Sequence, residues 1–121
     1  MYFYPSDDRT GCTKEACSFR DDFYVIRETN AEVIGVSTDD VESHAEFAKK
    51  YNLPFPLLSD KDAVVSRQYG AAWKIGPLSM AKRHTFIISP EGNIARIYRK
   101  VDPEQHSAEV IADLKKLQTP D

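Results

Sequence analysis

Strands alternating with amphipathic helices, a closing pair of strands joined by a short turn, and two cysteines at the first strand-to-helix junction together predict an α/β protein. The expected architecture is a three-layer α/β/α sandwich on a mixed sheet. At 121 residues the chain can build one core but not two, so a single domain over residues 1–121 is expected. Apolar residues make up 41% and charged residues 29%, the balance of a soluble globular protein. A net charge of −3 argues against nucleic acid as a partner, because phosphate binding needs a basic face. No stretch approaches the roughly 18 apolar residues that a membrane span requires. No cationic segment followed by an apolar run opens the chain as an export signal, so a cytoplasmic location is expected.

Tyr2-Phe3-Tyr4 reads as the end of a strand that Pro5 stops, with Asp7, Asp8 and Gly11 as loop residues. From Cys12 to about Glu28, Ala16, Phe19, Phe23 and Ile26 recur at helical spacing; Lys14, Glu15, Ser18, Asp21 and Asp22 take the other face. Glu32 to Ser37 is a β-branched run suited to a buried parallel strand. Asp39 and Glu42 have capping-box spacing before a helix with His44, Phe47, Ala48 and Tyr51 on one face. Pro54 and Pro56 bracket an extended piece leading to Leu57-Leu58-Ser59. A short helix then spans Asp60 to Tyr69. Asp60 to Asp62 supply its cap, Val64, Val65 and Tyr69 turn inward, and Gly70 takes the position after its end. Ala71 to Lys82 shows no period and reads as a loop; Trp73 in it, like Phe55, is expected as core or pocket wall. Arg83 to Ser89 and Ile94 to Lys100 form a hairpin around Pro90-Glu91-Gly92-Asn93. Pro103 precedes a last helix whose Val110, Ile111, Leu114 and Leu117 face the core.

Chemistry concentrates at the first junction. Cys12 falls in the first turn of a helix, where unsatisfied N–H groups and the positive end of the helix dipole favour an anion and hence a thiolate. Cys17 lies five residues on. At 1.5 Å and 100° per residue the two Cα atoms are about 8–9 Å apart, beyond the roughly 7 Å that a disulfide tolerates. Either the pair never bonds, as two unrelated buried thiols, or bonding unwinds the first turns of the helix. The order β-α-β-α-β-α-β-β-α, with a cysteine at the first βα junction, suits the thioredoxin-like fold, although a C-x-x-C pair is absent. His44, His84 and His106 have no ligand spacing to the cysteines, so no metal is expected.

These residues also match a family. Tyr2-Phe3-Tyr4-Pro5, Gly11-Cys12-Thr13-Lys14-Glu15-Ala16-Cys17 and Phe19-Arg20-Asp21 resemble the peroxiredoxins of the bacterioferritin-comigratory-protein and peroxiredoxin Q group. Gly35-Val36-Ser37-Thr38-Asp39, Leu53 to Asp60, Tyr69-Gly70 and Arg83-His84-Thr85-Phe86-Ile87 continue the resemblance in order, over essentially the whole chain. The resemblance implies a thiol peroxidase for hydrogen peroxide and alkyl hydroperoxides, active without a metal or organic cofactor. It implies Cys12 as the peroxidatic cysteine, Cys17 as the resolving cysteine, a Cys12–Cys17 disulfide within one chain, thioredoxin as reductant and a monomer. Arg83 would stabilise the thiolate and the transition state, Glu15 would orient Arg83, and Pro5 and Gly11 would border the peroxide. On sequence alone Arg83 reads as a strand-edge charge and Glu15 as a solvated helix residue.

Two departures from the family pattern stand out. The hydroxyl expected three residues before the peroxidatic cysteine is replaced by Arg9, leaving the next residue, Thr10, as a contributor. The chain also starts where members of the group already have a strand pair behind them, so an N-terminally truncated domain is expected. Other readings of the same residues are a non-catalytic thioredoxin-fold binding module and a general thiol–disulfide oxidoreductase.

Overall fold

The computed structural model describes residues 1–118. Its order is β1 (Tyr2–Phe3), α1 (Thr10–Asp21), α2 (Phe23–Glu28), β2 (Gly35–Ser37), α3 (Val41–Tyr51), β3 (Leu57–Ser59), α4 (Val64–Gln68), β4 (Ala72–Ile75), β5 (Leu78–Ala81), β6 (Thr85–Ile88), β7 (Ile94–Tyr98) and α5 (His106–Gln118). The main sheet runs β3-β2-β1-β6-β7, mixed as expected: β1, β2 and β3 are parallel, and β6 and β7 are antiparallel additions. The two-residue strand β1 lies at its centre. Tyr2 pairs with Gly35 on one side and Thr85 on the other, so the shortest strand is braced from both.

Side chains on β1 alternate between faces, as pleating requires. Tyr2 and Tyr4 enter a core with Cys12, Ala16 and Phe19 of α1, Ile26 of α2, Phe47 of α3 and Val110 and Leu114 of α5. Phe3 enters a smaller core on the opposite face with Val36, Ala71, Ala81 and Phe86. The three layers are therefore unequal, the second face being covered by the region of α4 and the β4–β5 hairpin.

That hairpin is a correction. The segment read as a loop pairs Ala72 with Ala81 through Ile75 with Leu78, across the two-residue turn Gly76-Pro77. Gly76 supplies φ +57 at the first turn position and Pro77 fits the second, a Gly-Pro signal that hydrophobic periodicity does not carry. The long first helix is also divided, at Asp22, whose carboxylate accepts a hydrogen bond from Ser107 Oγ near the start of α5 (2.7 Å). The cap of α3 is Asp40, receiving Ser43 N at 2.8 Å, one residue later than the capping-box reading. In α4 Val64 and Val65 are exposed and Ser66 is the buried residue, because Asp60 turns the segment by accepting from Val65 N, Ser66 N and Ser66 Oγ. Leu117 is likewise exposed, whereas Val110 and Leu114 are buried. Phe55 is core and Trp73 is exposed on its hairpin.

Candidate active site

Antiparallel pairing of β1 with β6 creates the site. With Tyr2 opposite Thr85, and Phe3 N donating to His84 O (2.7 Å), Arg83 lies beside the point where β1 hands the chain to α1. Two ends of the sequence, 71 residues apart, thereby meet: Arg83 Nη2 donates to Cys12 Sγ at 3.2 Å, and Arg83 Nη1 donates to Glu15 Oε1 at 2.8 Å. Cys12 and Glu15, three apart, share one face of α1. Gly11 makes room for the guanidinium, since a Cβ there would lie 3.0 Å from Arg83 Nη2.

Glu15 overturns its sequence reading as a solvated residue, for it is fully buried. Burial pushes its carboxyl up to about 7, outweighing the opposing pull of the Arg83 guanidinium. Its second oxygen, Oε2, and the buried Tyr2 hydroxyl have no hydrogen-bond partner among the described residues. Arg83 is thus held between a buried acid and a buried sulfur. Cys17 is half-buried, and burial holds its thiol above the usual range. Both thiols are free and α1 runs unbroken through both, so regular helix geometry keeps their Cα atoms about 8–9 Å apart.

The loop before Cys12 is fastened in ways the sequence did not disclose. Asp7 accepts from Tyr4 OH (2.6 Å) and Ser43 Oγ (2.7 Å) and pairs with His44 Nδ1 (2.8 Å); its own N–H donates to Asp39 Oδ2 (2.8 Å). Burial opposes ionisation of Asp7, but these bonds hold its carboxyl below the usual range. Asp8 bonds Lys50 Nζ (2.7 Å) and Tyr51 OH (2.8 Å) at the end of α3. Ser43, His44, Lys50 and Tyr51 each lie more than 35 residues from the aspartate they bind, and no local motif marks the pairing. Asp7, Asp39 and His44 also form the one group of possible metal ligands among the described residues, their ligand atoms within 4.8 Å. All three are engaged in hydrogen bonds, His44 through both ring nitrogens (Nε2 with Leu58 O, 3.1 Å).

Of the other anticipated residues, Pro5 is half-buried in the same loop. Thr10 opens α1, is exposed, and makes no hydrogen bond to Cys12 or Arg83 among the described residues; proximity in sequence does not bring it to the sulfur. Arg9 occupies the N-cap without a side-chain cap bond. His84 accepts at Nδ1 from Arg99 Nη1 (2.7 Å), and His106 bonds Thr85 Oγ1 (2.8 Å); both belong to packing. A sulfur beside a fixed guanidinium at a helix start is equipped for nucleophilic attack in which negative charge shifts onto a departing atom.

Comparison with known proteins agrees with that chemistry. Residues 1–97 match the AhpC/TSA family. The chain is 45% identical over 118 residues to a putative bcp peroxiredoxin of Coxiella burnetii, covering 94% of this chain and 78% of that protein. It is 42% identical to chloroplastic peroxiredoxin Q of Oryza sativa subsp. japonica, covering 97% of this chain but only 54%, about half, of the plant protein. A Xanthomonas campestris bacterioferritin comigratory protein, solved in a study of its alkyl peroxide reduction, superposes with a TM-score of 0.89 at 34% identity, over 98% of this chain and 78% of that one. No helix among the described residues is long and apolar enough to cross a membrane. With the thioredoxin-like sheet, the cysteine at its first helix start and these relatives in agreement, the chain belongs to the AhpC/TSA family, in the bacterioferritin-comigratory-protein and peroxiredoxin Q group of thiol peroxidases.

Proposed function

We propose that this chain reduces hydrogen peroxide and alkyl hydroperoxides with Cys12 as the peroxidatic and Cys17 as the resolving cysteine. The observation that carries the reading is the Arg83 guanidinium, 3.2 Å from Cys12 Sγ and held by Glu15. The Cys12 sulfur attacks the nearer peroxide oxygen; an S–O bond forms, the O–O bond breaks, and the departing alkoxide or hydroxide takes a proton. Arg83 supplies positive charge where both the attacking sulfur and the departing oxygen are negative. Gly11, lacking a Cβ, leaves the guanidinium room to make that contact, and Pro5 borders the approach.

Sulfenic acid on Cys12 then condenses with the Cys17 thiol, releasing water and forming the intramolecular disulfide. The intact helix keeps the sulfurs apart, so this step requires the first turns of α1 to open. A dithiol such as thioredoxin returns two electrons and restores both thiols. The chain acts as a monomer in the cytoplasm, needing no metal or organic cofactor.

The test couples peroxide reduction to NADPH oxidation through thioredoxin and its reductase. Cys12→Ser is expected to abolish turnover. Cys17→Ser is expected to permit one round of oxidation and no thioredoxin-driven cycle. Full activity in Cys12→Ser would end the proposal.

A further inference from the structure

The loop between β1 and α1 is fastened to α3 at two adjacent residues of opposite character. Asp7 is the inner fastening. Its side chain is 4% exposed and that of His44 is 5% exposed, with Tyr4 OH, Ser43 Oγ and the Asp39 carboxylate completing the network. Pulling Asp7 away would strand a buried carboxylate and a buried imidazole together, so this point resists movement. Asp8 is the outer fastening. Its side chain is 45% exposed and that of Lys50 is 57% exposed, a pair that water and salt can readily replace. Asp8 also has φ +58, a left-handed conformation that a non-glycine residue adopts at a cost and releases when its contacts are lost.

Beyond Asp8 the helix start is held from outside by Arg83, which donates to Cys12 Sγ and Glu15 Oε1, and by the exposed Lys14–Glu104 pair (2.9 Å). Arg9 at the N-cap offers no side-chain acceptor, and the first intrahelical bond is Thr13 N to Arg9 O at 2.8 Å. Further along the helix, Arg20 Nη1 donates to Tyr51 O (2.8 Å) and Phe19 is core. Tyr51 therefore holds both ends of the segment that must open, Asp8 through its hydroxyl and Arg20 through its carbonyl.

We propose that Asp8, Lys50 and Tyr51 form a latch that sets how often the first turns of α1 open, with Asp7 as the fixed point about which they open. Resting on the peroxidase reading above, the latch makes Asp8, Lys50 and Tyr51 positioning residues for the disulfide step and leaves peroxide attack untouched. Disruption of the latch shortens the life of the Cys12 sulfenic acid by bringing Cys17 to it sooner.

The test uses the full chain with Lys50→Met, Tyr51→Phe and the double variant. Three quantities are measured: the rate at which peroxide consumes the Cys12 thiol, the rate of disulfide formation after a single peroxide pulse, and hydrogen exchange at the Thr13 amide of the reduced protein. The expected result is an unchanged first rate, with disulfide formation and Thr13 exchange each faster by about two- to fivefold, the range an exposed ion pair supports. Raising salt to about 0.5 M should accelerate the disulfide step more in the parent chain than in Lys50→Met, where only the exposed Lys14–Glu104 pair remains to be screened at the helix start. Equal change in the two chemical steps, or no change in disulfide formation and Thr13 exchange, would overturn the latch. If the parent chain forms no disulfide at all, the peroxidase reading fails, and Thr13 exchange alone still decides whether the latch exists.

Discussion

Replacing Arg83 probes the site most directly, but a single substitution confounds two effects. Arg83→Met would leave Glu15 buried without its partner, a change that costs about 3–5 kcal/mol of stability in comparable buried pairs. The informative variant is therefore Arg83→Met combined with Glu15→Gln, which removes both charges from the buried face. At the observed 3.2 Å, unit charges in an effective dielectric of about 20 interact by about 5 kcal/mol. Some of that energy is already present in the reactant, so only part appears in the barrier. Loss of a single positioned donor in comparable sites lowers rates about 10²–10³-fold. The double variant should oxidise at Cys12 about 10²-fold more slowly, measured by quenching a peroxide reaction at intervals and weighing the intact protein. Glu15→Gln alone keeps an acceptor for Arg83 and should lose less than about tenfold. A double variant that folds and oxidises within about threefold of the parent rate would refute the role assigned to the guanidinium.

Three further outcomes follow from the geometry. Because burial raises the folded Glu15 carboxyl from an ordinary 4.5 to about 7, its neutral form supports the fold fully below about pH 4.5, and that support is lost as pH rises towards 7. Unfolding free energies from urea titrations at pH 5 and pH 8 should differ by less in Glu15→Gln than in the parent chain, by an amount of the order of 3 kcal/mol at most; an unchanged difference would contradict the assignment. Gly11→Ala should crowd the guanidinium and slow Cys12 oxidation by about tenfold, while adding up to about 1 kcal/mol of helix propensity, so activity and melting temperature move in opposite directions. Since burial raises the Cys17 thiol, disulfide formation from the sulfenic acid should accelerate as pH is raised from 7 to about 9; a flat profile would show that opening of α1, rather than thiol ionisation, limits the step.

The departure at Arg9 takes a structural form. A hydroxyl in that position would sit at the N-cap of α1, where serine or threonine can accept from an N–H of the first turn. Arginine cannot, and the cap is bare. The helix start therefore depends on contacts from outside the helix: Arg83 above Gly11, and Asp8 held by Lys50 and Tyr51. A start that lacks its own cap bond fits the opening of α1 proposed for the disulfide step.

Much of this protein was legible in its sequence because local rules govern it. Helical spacing marked the buried face of α1 at Ala16 and Phe19, glycine marked the end of α4, and the C-x4-C spacing alone showed that an intact helix keeps the thiols apart. The β4–β5 hairpin was missed because its signal is the Gly76-Pro77 turn rather than a hydrophobic period. What only the tertiary structure decided is which distant groups meet. Glu15 belongs to the polar set by spacing yet is buried, because the guanidinium brought in by β6 gives it a partner inside. Asp7 and Asp8 are ordinary loop residues until α3 presents Ser43, His44, Lys50 and Tyr51 to them. Periodicity and turn chemistry act between residues a few positions apart, and these contacts are set by strand order and register, which no short stretch of sequence encodes.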